Sequence, residues 1–257
     1  MTEPSEMIFV EREGPVTTVV LNRPQVRNAL DIAASEALAA AFFDFERDAN
    51  ARVAVLWGRG GSFCSGADLS ELAEGRLYRP WATSLEGPTR PALTKPVLAA
   101  VEGHACAGGL GLALWCDLRI ADTTAIFGVF SRRWGVPMSD GTTVRLPRLI
   151  GQGRALDMLL TGRPVAAREA LEIGLVNRVV GAGRARSEAE KIALGIADFP
   201  QEAMLCDRRS AFRQFDLPLE RALREESEAA LKARQAAVSG ARRFADGEGR
   251  HGEGAND

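Results

Sequence analysis

Short apolar runs alternate with glycine-rich loops and with helix-like segments along most of this chain. VAVLW at residues 53–57 and VLAAV at residues 97–101 are continuous apolar runs, as expected of strands that are buried on both faces of a sheet. A glycine-containing loop follows each run and leads into a segment with helical features. This repeated order of strand, loop and helix favours a layered α/β architecture.

Two further runs and one polar residue extend this pattern. VTTVVL at residues 16–21 is β-branched and predicts a strand that ends at the turn-forming residues 22–24. DLRIA at residues 117–121 predicts another strand. Asp31 predicts a helix N-cap, because apolar residues recur behind it at helical spacing up to about Ala49.

The last part of the chain has a different composition. From about residue 200 the pattern is helical and strongly charged, which predicts a core at residues 1–199 followed by a helical segment at residues 200–257. We expect that segment to serve in oligomerisation or as a lid, with a mobile, glycine-rich tail at residues 246–257. Residues 75–91, rich in Arg, Pro and Gly, predict a surface loop.

Composition narrows the possible partners. The net charge of −2 over 257 residues gives no global bias toward nucleic acid or acidic membranes. The chain contains four cysteines without a CxxC motif and only two histidines, which favours reduced thiols, a cytoplasmic location and no metal site. The first residues lack an apolar signal core, and the longest apolar run is too short for a membrane helix, so neither export nor membrane insertion is expected.

The stretch CAGGLGLALWCD, residues 106–117, places small residues where a helix should begin. A helix start exposes backbone N–H groups, and the absence of side chains lets another molecule approach them. A nucleotide phosphate is one candidate ligand, but the chain has no GxxxxGK[ST] motif and no complete GxGxxG motif. The pattern therefore indicates a binding site built from backbone donors, with tight turns and close packing as the alternative role of the glycines.

Several blocks of this sequence resemble the crotonase superfamily, the enoyl-CoA hydratase/isomerase family. SFCSGADLSEL at residues 62–72 and VLAAVEGHACAGGLGLALWCDLRIAD at residues 97–122 are similar to its two signature blocks. LNRPQVRNALD, AIFGVFSRRWGVP and LTGRPVAAREALEIGLVNRVV resemble further blocks in the same order, so the resemblance covers nearly the whole chain. It implies a crotonase-like spiral of repeated ββα units with a C-terminal α-helical segment, assembled as a homotrimer or homohexamer.

The resemblance also implies an acyl-CoA thioester as substrate and no separate cofactor, since coenzyme A is part of that substrate. The thioester oxygen is held between two backbone N–H groups, which by position are those of Ala67 and Gly108. Negative charge collects on this oxygen when a proton leaves the acyl chain or a nucleophile adds to it. Donors fixed at a helix start stabilise that charge with little reorganisation.

Four residues match the family segments that bind coenzyme A. Val26 and Arg27 match the segment beside the adenine and phosphates, and Asp68 and Leu69 match the segment that lines the adenine pocket. Arg27 is then a phosphate partner through charge-assisted hydrogen bonds. The alternative is that Arg27 is an exposed loop arginine.

The sequence departs from the hydratases at two positions. The family's two water-activating glutamates correspond to Gly111 and Ser131, and neither residue is acidic. Because each such group contributes about a hundred- to ten-thousandfold in rate, standard hydratase activity is not expected. Asp140 is the nearest replacement acid, although the related position is one residue earlier, at Ser139. The alternative is that Asp140, followed by Gly141-Thr142, is a turn or helix-cap residue.

Three hypotheses follow for function. The first is a lyase or isomerase that stabilises an enolate in fatty-acid or related acyl-CoA metabolism, with Asp140 or another group moving protons. The second is a catalytically silent homologue that binds acyl-CoA, and the third is a purely structural assembly protein. His104 is expected to pack behind the glycine loop, and Cys64 and Cys106 are not expected to act as nucleophiles because no base adjoins them.

Overall fold

The computed structural model describes residues 7–74, 87–89 and 92–247. The strands are β1 (Ile8–Glu13), β2 (Val16–Leu21), β3 (Val53–Gly58), β4 (Val97–Val101), β5 (His104–Cys106), β6 (Leu118–Asp122), β7 (Ile126–Gly128), β8 (Val165–Ala166) and β9 (Arg178–Val180). The helices are α1 (Ile32–Arg47), α2 (Leu69–Ala73), α3 (Gly108–Trp115), α4 (Thr142–Ile150), α5 (Gln152–Thr161), α6 (Ala167–Glu172), α7 (Ala185–Asp198), α8 (Gln201–Arg213), α9 (Leu219–Lys232) and α10 (Arg234–Ala245). Three 3-10 helices lie at Pro24–Val26, Phe130–Trp134 and Gln214–Asp216.

The strands form two sheets. The larger sheet has six strands in the order β1-β2-β3-β4-β6-β9, in which β1 and β2 are antiparallel and the other neighbours are parallel. The smaller sheet has the order β5-β7-β8, with β5 parallel to β7. Since β4 and β5 are consecutive in the chain but lie in different sheets, residues 102–103 carry the chain from one sheet to the other. The α3 helix begins directly after β5.

The predicted strands are confirmed, with one small shift. Strands β2, β3 and β4 coincide with the apolar runs, and the side chains of β2 and β4 are buried throughout. Strand β6 begins at Leu118, one residue later than predicted. Asp117 instead secures the loop before β6, because its N–H donates to the Val97 carbonyl (2.7 Å) and its carboxylate accepts from the Val97 N–H (2.7 Å).

The predicted N-cap of the first long helix is also confirmed. The Asp31 carboxylate accepts a hydrogen bond of 2.7 Å from the Ala34 N–H at the start of α1. Leu38, Phe42 and Phe45 recur at helical spacing on the buried face of this helix. Local capping and periodicity therefore agree with the packing that α1 adopts.

The contacts divide the chain into two compact units, residues 1–193 and residues 194–257. In the second unit, α8 and α9 are joined by an ion pair between Arg213 and Glu225 (2.7 Å). The oligomerisation or lid role of this segment stays a prediction. The predicted loop at residues 75–91 lies outside the described residues except for 87–89, and the predicted mobile tail lies outside them from residue 248.

Two further observations concern the described residues as a whole. None of the helices within them has the length and apolar character needed to cross a membrane. All four cysteines are buried and free of disulfide bonds.

Candidate active site

The loop that ends at Ala67 lies alongside strand β5. The Cys64 N–H donates to the His104 carbonyl (2.9 Å), and the Cys106 N–H donates to the Cys64 carbonyl (3.0 Å). Because β5 leads directly into α3, this pairing brings the end of the loop to the start of that helix.

Gly66 lies at the contact between this loop and α3. Its φ of +102° favours glycine, and a Cβ added at this residue would come within 2.9 Å of the Gly108 nitrogen. Leu30 holds the loop on its other side, where its N–H donates to the Gly66 carbonyl and its carbonyl accepts from Asp68 N–H, both at 2.8 Å. Gly66 therefore permits both the turn and the close approach of the two segments.

The start of α3 is strained and tightly packed. Ala107, its N-cap, has φ 48° and ψ −121°, a conformation that side chains disfavour. The Ala107 N–H donates to the Gly128 carbonyl (2.9 Å), which holds this turn in place. A Cβ at Gly109 would lie 2.0 Å from the Cys64 carbonyl oxygen, so Gly109 serves close packing against the protein's own loop.

Ala67 and Gly108, the two predicted backbone donors, lie at the same cavity. Neither N–H donates a hydrogen bond to an acceptor within the described residues, and both residues line one cavity of about 220 Å³. The Gly108 N–H also belongs to the first turn of α3, where the helix dipole places partial positive charge. Both predicted donors therefore lie at the wall of one cavity, with N–H groups that no described acceptor uses.

Asp140 makes the hydrogen bond of a helix-start residue and also lies at the cavity, while its predicted role as an acid stays a prediction. Its Oδ1 accepts a hydrogen bond of 2.8 Å from the Thr142 N–H at the first residue of α4, which is helix-start chemistry. The same residue lines the cavity with Ala67 and Gly108, and its side chain is buried. The hydrogen bond to Thr142 uses one of the two carboxyl oxygens.

Burial changes the acidity of three groups at the site. It raises the pKa of Asp140, while hydrogen bonds from Thr142 and the positive charge of Arg145 act in the opposite direction. Burial also raises the pKa of the Cys64 and Cys106 thiols to about 12. Both thiols are therefore protonated at neutral pH, which agrees with the expectation that neither is a nucleophile.

The other wall of the cavity comes from residues 130–139. Ser131 is buried there, and its hydroxyl donates to the Met138 sulfur (3.2 Å). Phe130, Trp134 and Val136 add an apolar surface that the sequence analysis did not identify. These residues belong to the AIFGVFSRRWGVP block, which was recognised only as a family-like segment. Among the described residues that line the cavity, Asp140 is the one acidic side chain.

Two of the four residues predicted to contact coenzyme A lie at the cavity. Arg27 and Leu69 line the cavity, whereas Val26 and Asp68 are not among its described lining residues. The Asp68 carboxylate instead pairs with the Arg23 guanidinium (3.3 Å), which also pairs with Asp31.

The expected position of His104 is wrong. This residue lines the cavity instead of packing behind the glycine loop, because strand β5 itself borders the site. Within residues 7–74, 87–89 and 92–247, no group of three or more His, Cys, Asp or Glu side chains is arranged to hold a metal ion.

Comparisons with known proteins show the family of this chain. The family model for enoyl-CoA hydratase/isomerase matches residues 11–248. A probable enoyl-CoA hydratase of Rhizobium meliloti (strain 1021) is 38% identical, covering 86% of this chain and 87% of its own. A short-chain-enoyl-CoA hydratase of Clostridium acetobutylicum is 35% identical with the same coverage of both chains.

Solved structures show the same fold. The crystal structure of an enoyl-CoA hydratase from Mycobacterium tuberculosis H37Rv superimposes with a TM-score of 0.88 at 33% identity, covering 94% of this chain and 96% of that one. A structure from Geobacillus kaustophilus HTA426 gives a TM-score of 0.86 at 35% identity, covering 93% and 95%. The chain belongs to the enoyl-CoA hydratase/isomerase family, and the predicted crotonase-like fold is confirmed.

Proposed function

We propose that this chain is an enzyme of fatty-acid or related acyl-CoA metabolism that stabilises the enolate of an acyl-CoA thioester. The observation that carries the proposal is the shared cavity. Two backbone N–H groups without protein acceptors in the described chain, at Ala67 and Gly108, line it together with one carboxyl group, Asp140.

The chemistry follows from these three groups. When a base removes a proton from the carbon next to the thioester carbonyl, the electron pair moves onto the carbonyl oxygen. The Ala67 and Gly108 N–H groups form the oxyanion hole that stabilises this charge, and one such donor contributes about a hundred- to a thousandfold in rate. Asp140 receives the proton, and no cofactor is needed beyond the coenzyme A of the substrate.

Coenzyme A is proposed to bind at the Arg27 side of the cavity. The Arg27 guanidinium contacts a phosphate and Leu69 contacts the adenine, since both residues line the cavity. Val26 and Asp68 support these two residues from neighbouring positions, Asp68 through its ion pair with Arg23.

We propose that the enzyme transfers protons to and from the acyl chain and does not carry out the standard hydration reaction. The family's hydration mechanism uses two carboxyl groups, whereas the described cavity lining holds one, and Ser131 replaces the second. A single carboxyl group can remove a proton and return it to the acyl chain. The alternative function is acyl-CoA binding without turnover, which is favoured by the use of Asp140 Oδ1 at the start of α4.

Exchange of the α-protons of butyryl-CoA for deuterium in D₂O tests the proposal directly. We expect the wild-type chain to catalyse exchange, detected by mass spectrometry, and Asp140→Asn to lose at least a hundredfold. Asp157→Asn is a control, because this carboxylate pairs with Arg163 away from the cavity. If butyryl-CoA raises the melting temperature of the protein but no exchange occurs, the silent homologue is supported. If butyryl-CoA does not change the melting temperature, only a structural role remains.

Assembly as a homotrimer or homohexamer and a cytoplasmic location are further parts of the proposal. Large apolar side chains are exposed on α9, which supports association with other chains. Four free cysteines support a reducing compartment.

A further inference from the structure

Gly111 packs directly against the side chain of Asp140. Gly111 lies in the first half of α3, and its N–H donates to the Ala107 carbonyl (3.2 Å). A Cβ added at Gly111 would lie 2.5 Å from Asp140 Cγ and 2.8 Å from both Cβ and Oδ1 of Asp140. All three atoms are closer than real Cβ contacts allow, so any side chain at residue 111 would displace the Asp140 carboxyl group.

Asp140 has little freedom to move aside. It is 2% exposed, and its Oδ1 is fixed by the Thr142 N–H. Its backbone is held as well, because the Arg145 guanidinium donates to the Asp140 carbonyl (3.1 Å) and to the Thr89 carbonyl (2.8 Å). The space beside Gly111 is therefore filled by a carboxyl group that the segment before α4 holds in place.

We propose that Gly111 and Asp140 form one unit, in which the missing side chain on α3 creates the place that the Asp140 carboxyl group occupies. Gly111 is then a positioning residue, and the site holds one carboxyl group, supplied either from residue 111 or from residue 140 but not from both. This inference rests on the function proposed above, in which Asp140 moves the proton. Asp140 thus supplies the carboxyl group that the family resemblance leads one to expect at residue 111.

The first test adds one methyl group. Gly111→Ala is expected to lower kcat for α-proton exchange of butyryl-CoA in D₂O at least tenfold, with KM changed less than threefold. Gly153→Ala is the matched control, because Gly153 is also a helical glycine and a Cβ added there meets no atom within 4 Å. The control is expected to exchange at the wild-type rate.

If Gly111→Ala does not fold, the same unit is tested by moving the carboxyl group from residue 140 to residue 111. Asp140→Gly removes the carboxyl group and makes room at residue 111. Gly111→Glu combined with Asp140→Gly returns a carboxyl group from α3, and we expect it to exchange at least tenfold faster than Asp140→Gly alone. Gly111→Glu alone is expected to exchange no faster than Gly111→Ala, since both carboxyl groups then compete for one space.

The outcomes separate this inference from the function on which it rests. The unit would be overturned if a folded Gly111→Ala variant exchanged α-protons at the wild-type rate. It would also be overturned if the folded double variant bound butyryl-CoA but exchanged no faster than Asp140→Gly. Both results would leave the role of Asp140 intact. Wild-type exchange in Asp140→Asn would overturn the role of Asp140 and the unit together. Absence of exchange in the wild-type chain would overturn the proposed enzyme itself.

Discussion

The absence of a side chain at Gly66 and at Gly111 leaves room for a different neighbouring group in each case. At Gly66 the neighbour is the Gly108 nitrogen, a proposed backbone donor, and at Gly111 it is the Asp140 carboxyl group. Under the proposed function, the absence of these two methyl groups leaves room for one backbone donor and one carboxyl group.

Gly66→Ala is expected to lower α-proton exchange about a hundredfold, because the added methyl group lies against the Gly108 N–H and displaces it. Its φ of +102° adds a stability cost of about 1–3 kcal/mol. Gly61→Ala is the control, with φ +74° and no atom within 4 Å of its added Cβ. The control should lose stability but retain exchange, measured by urea unfolding and mass spectrometry. Equal exchange in the two variants would contradict the role of the Gly108 N–H.

Asp140→Asn is expected to change how stability depends on pH. Burial raises the pKa of Asp140 in the folded chain above its ordinary 3.8, so the folded chain holds this proton more tightly than the unfolded chain. The stability contributed by the neutral carboxyl is fully present below the ordinary pKa and is lost as pH rises through the raised pKa. Asn is neutral at every pH, so the variant should gain unfolding free energy relative to wild type as pH rises from the ordinary value of 3.8 through the raised pKa, and no further above it. Urea unfolding at several pH values measures this difference, and a constant or opposite trend would contradict it.

The α3 helix is the element that joins the site to the core. Its first turn begins with the Gly108 N–H and ends at Gly111, while carbonyl groups at its other end accept hydrogen bonds from the buried Arg119. The Arg119 guanidinium donates to the carbonyls of Cys116 (2.8 Å) and Ala113 (3.3 Å), and also to that of Leu175 (2.8 Å). These bonds satisfy carbonyl groups at the end of the helix, and burial lowers the pKa of Arg119.

Arg119→Met is therefore expected to destabilise the chain by about 3 kcal/mol, since several buried carbonyl groups lose their donor. Arg168→Met is the control, because that side chain is exposed and its ion pair among the described residues is with Glu172, four residues later. It should change stability by less than about 0.5 kcal/mol. Urea unfolding of both variants measures the difference. Equal effects would show that Arg119 is not required to hold the end of α3.

At the scale of the whole molecule, the chain divides into two compact units. The first unit contains both sheets and the described walls of the cavity. The second unit contains α8, α9 and α10, and α9 exposes large apolar side chains, Leu219, Leu223 and Leu231. Such a surface is typical of a segment that associates with another chain.

Leu223→Glu is expected to reduce assembly, because a charge placed on the apolar face of α9 must be desolvated when chains associate. Sedimentation analysis should find three or six chains in the wild-type particle and fewer in the variant. Glu220→Gln is the control, since Glu220 lies on the charged surface of the same helix and is highly exposed. A wild-type particle containing one chain, or an unchanged particle in Leu223→Glu, would contradict the assembly proposal.

Local patterns predicted much of the fold. The N-cap at Asp31 and the buried strands β2, β3 and β4 depend on residues close together in the chain, and these were identified correctly. The small residues from Ala107 to Gly109 indicated a backbone site, but the structure shows that Gly109 also makes room for the Cys64 carbonyl. A sequence does not reveal which distant loop packs against a glycine.

The sequence by itself determined the family, the main strands and helices, and the absence of acids at Gly111 and Ser131. Only the tertiary structure decided that Asp140 fills the space beside Gly111, and that Arg27 and Leu69 line the cavity while Asp68 pairs with Arg23. The physical reason is the range of the interactions. Strand and helix formation depends on neighbouring residues, whereas the position of a carboxyl group in a cavity depends on packing between segments that are far apart in the chain.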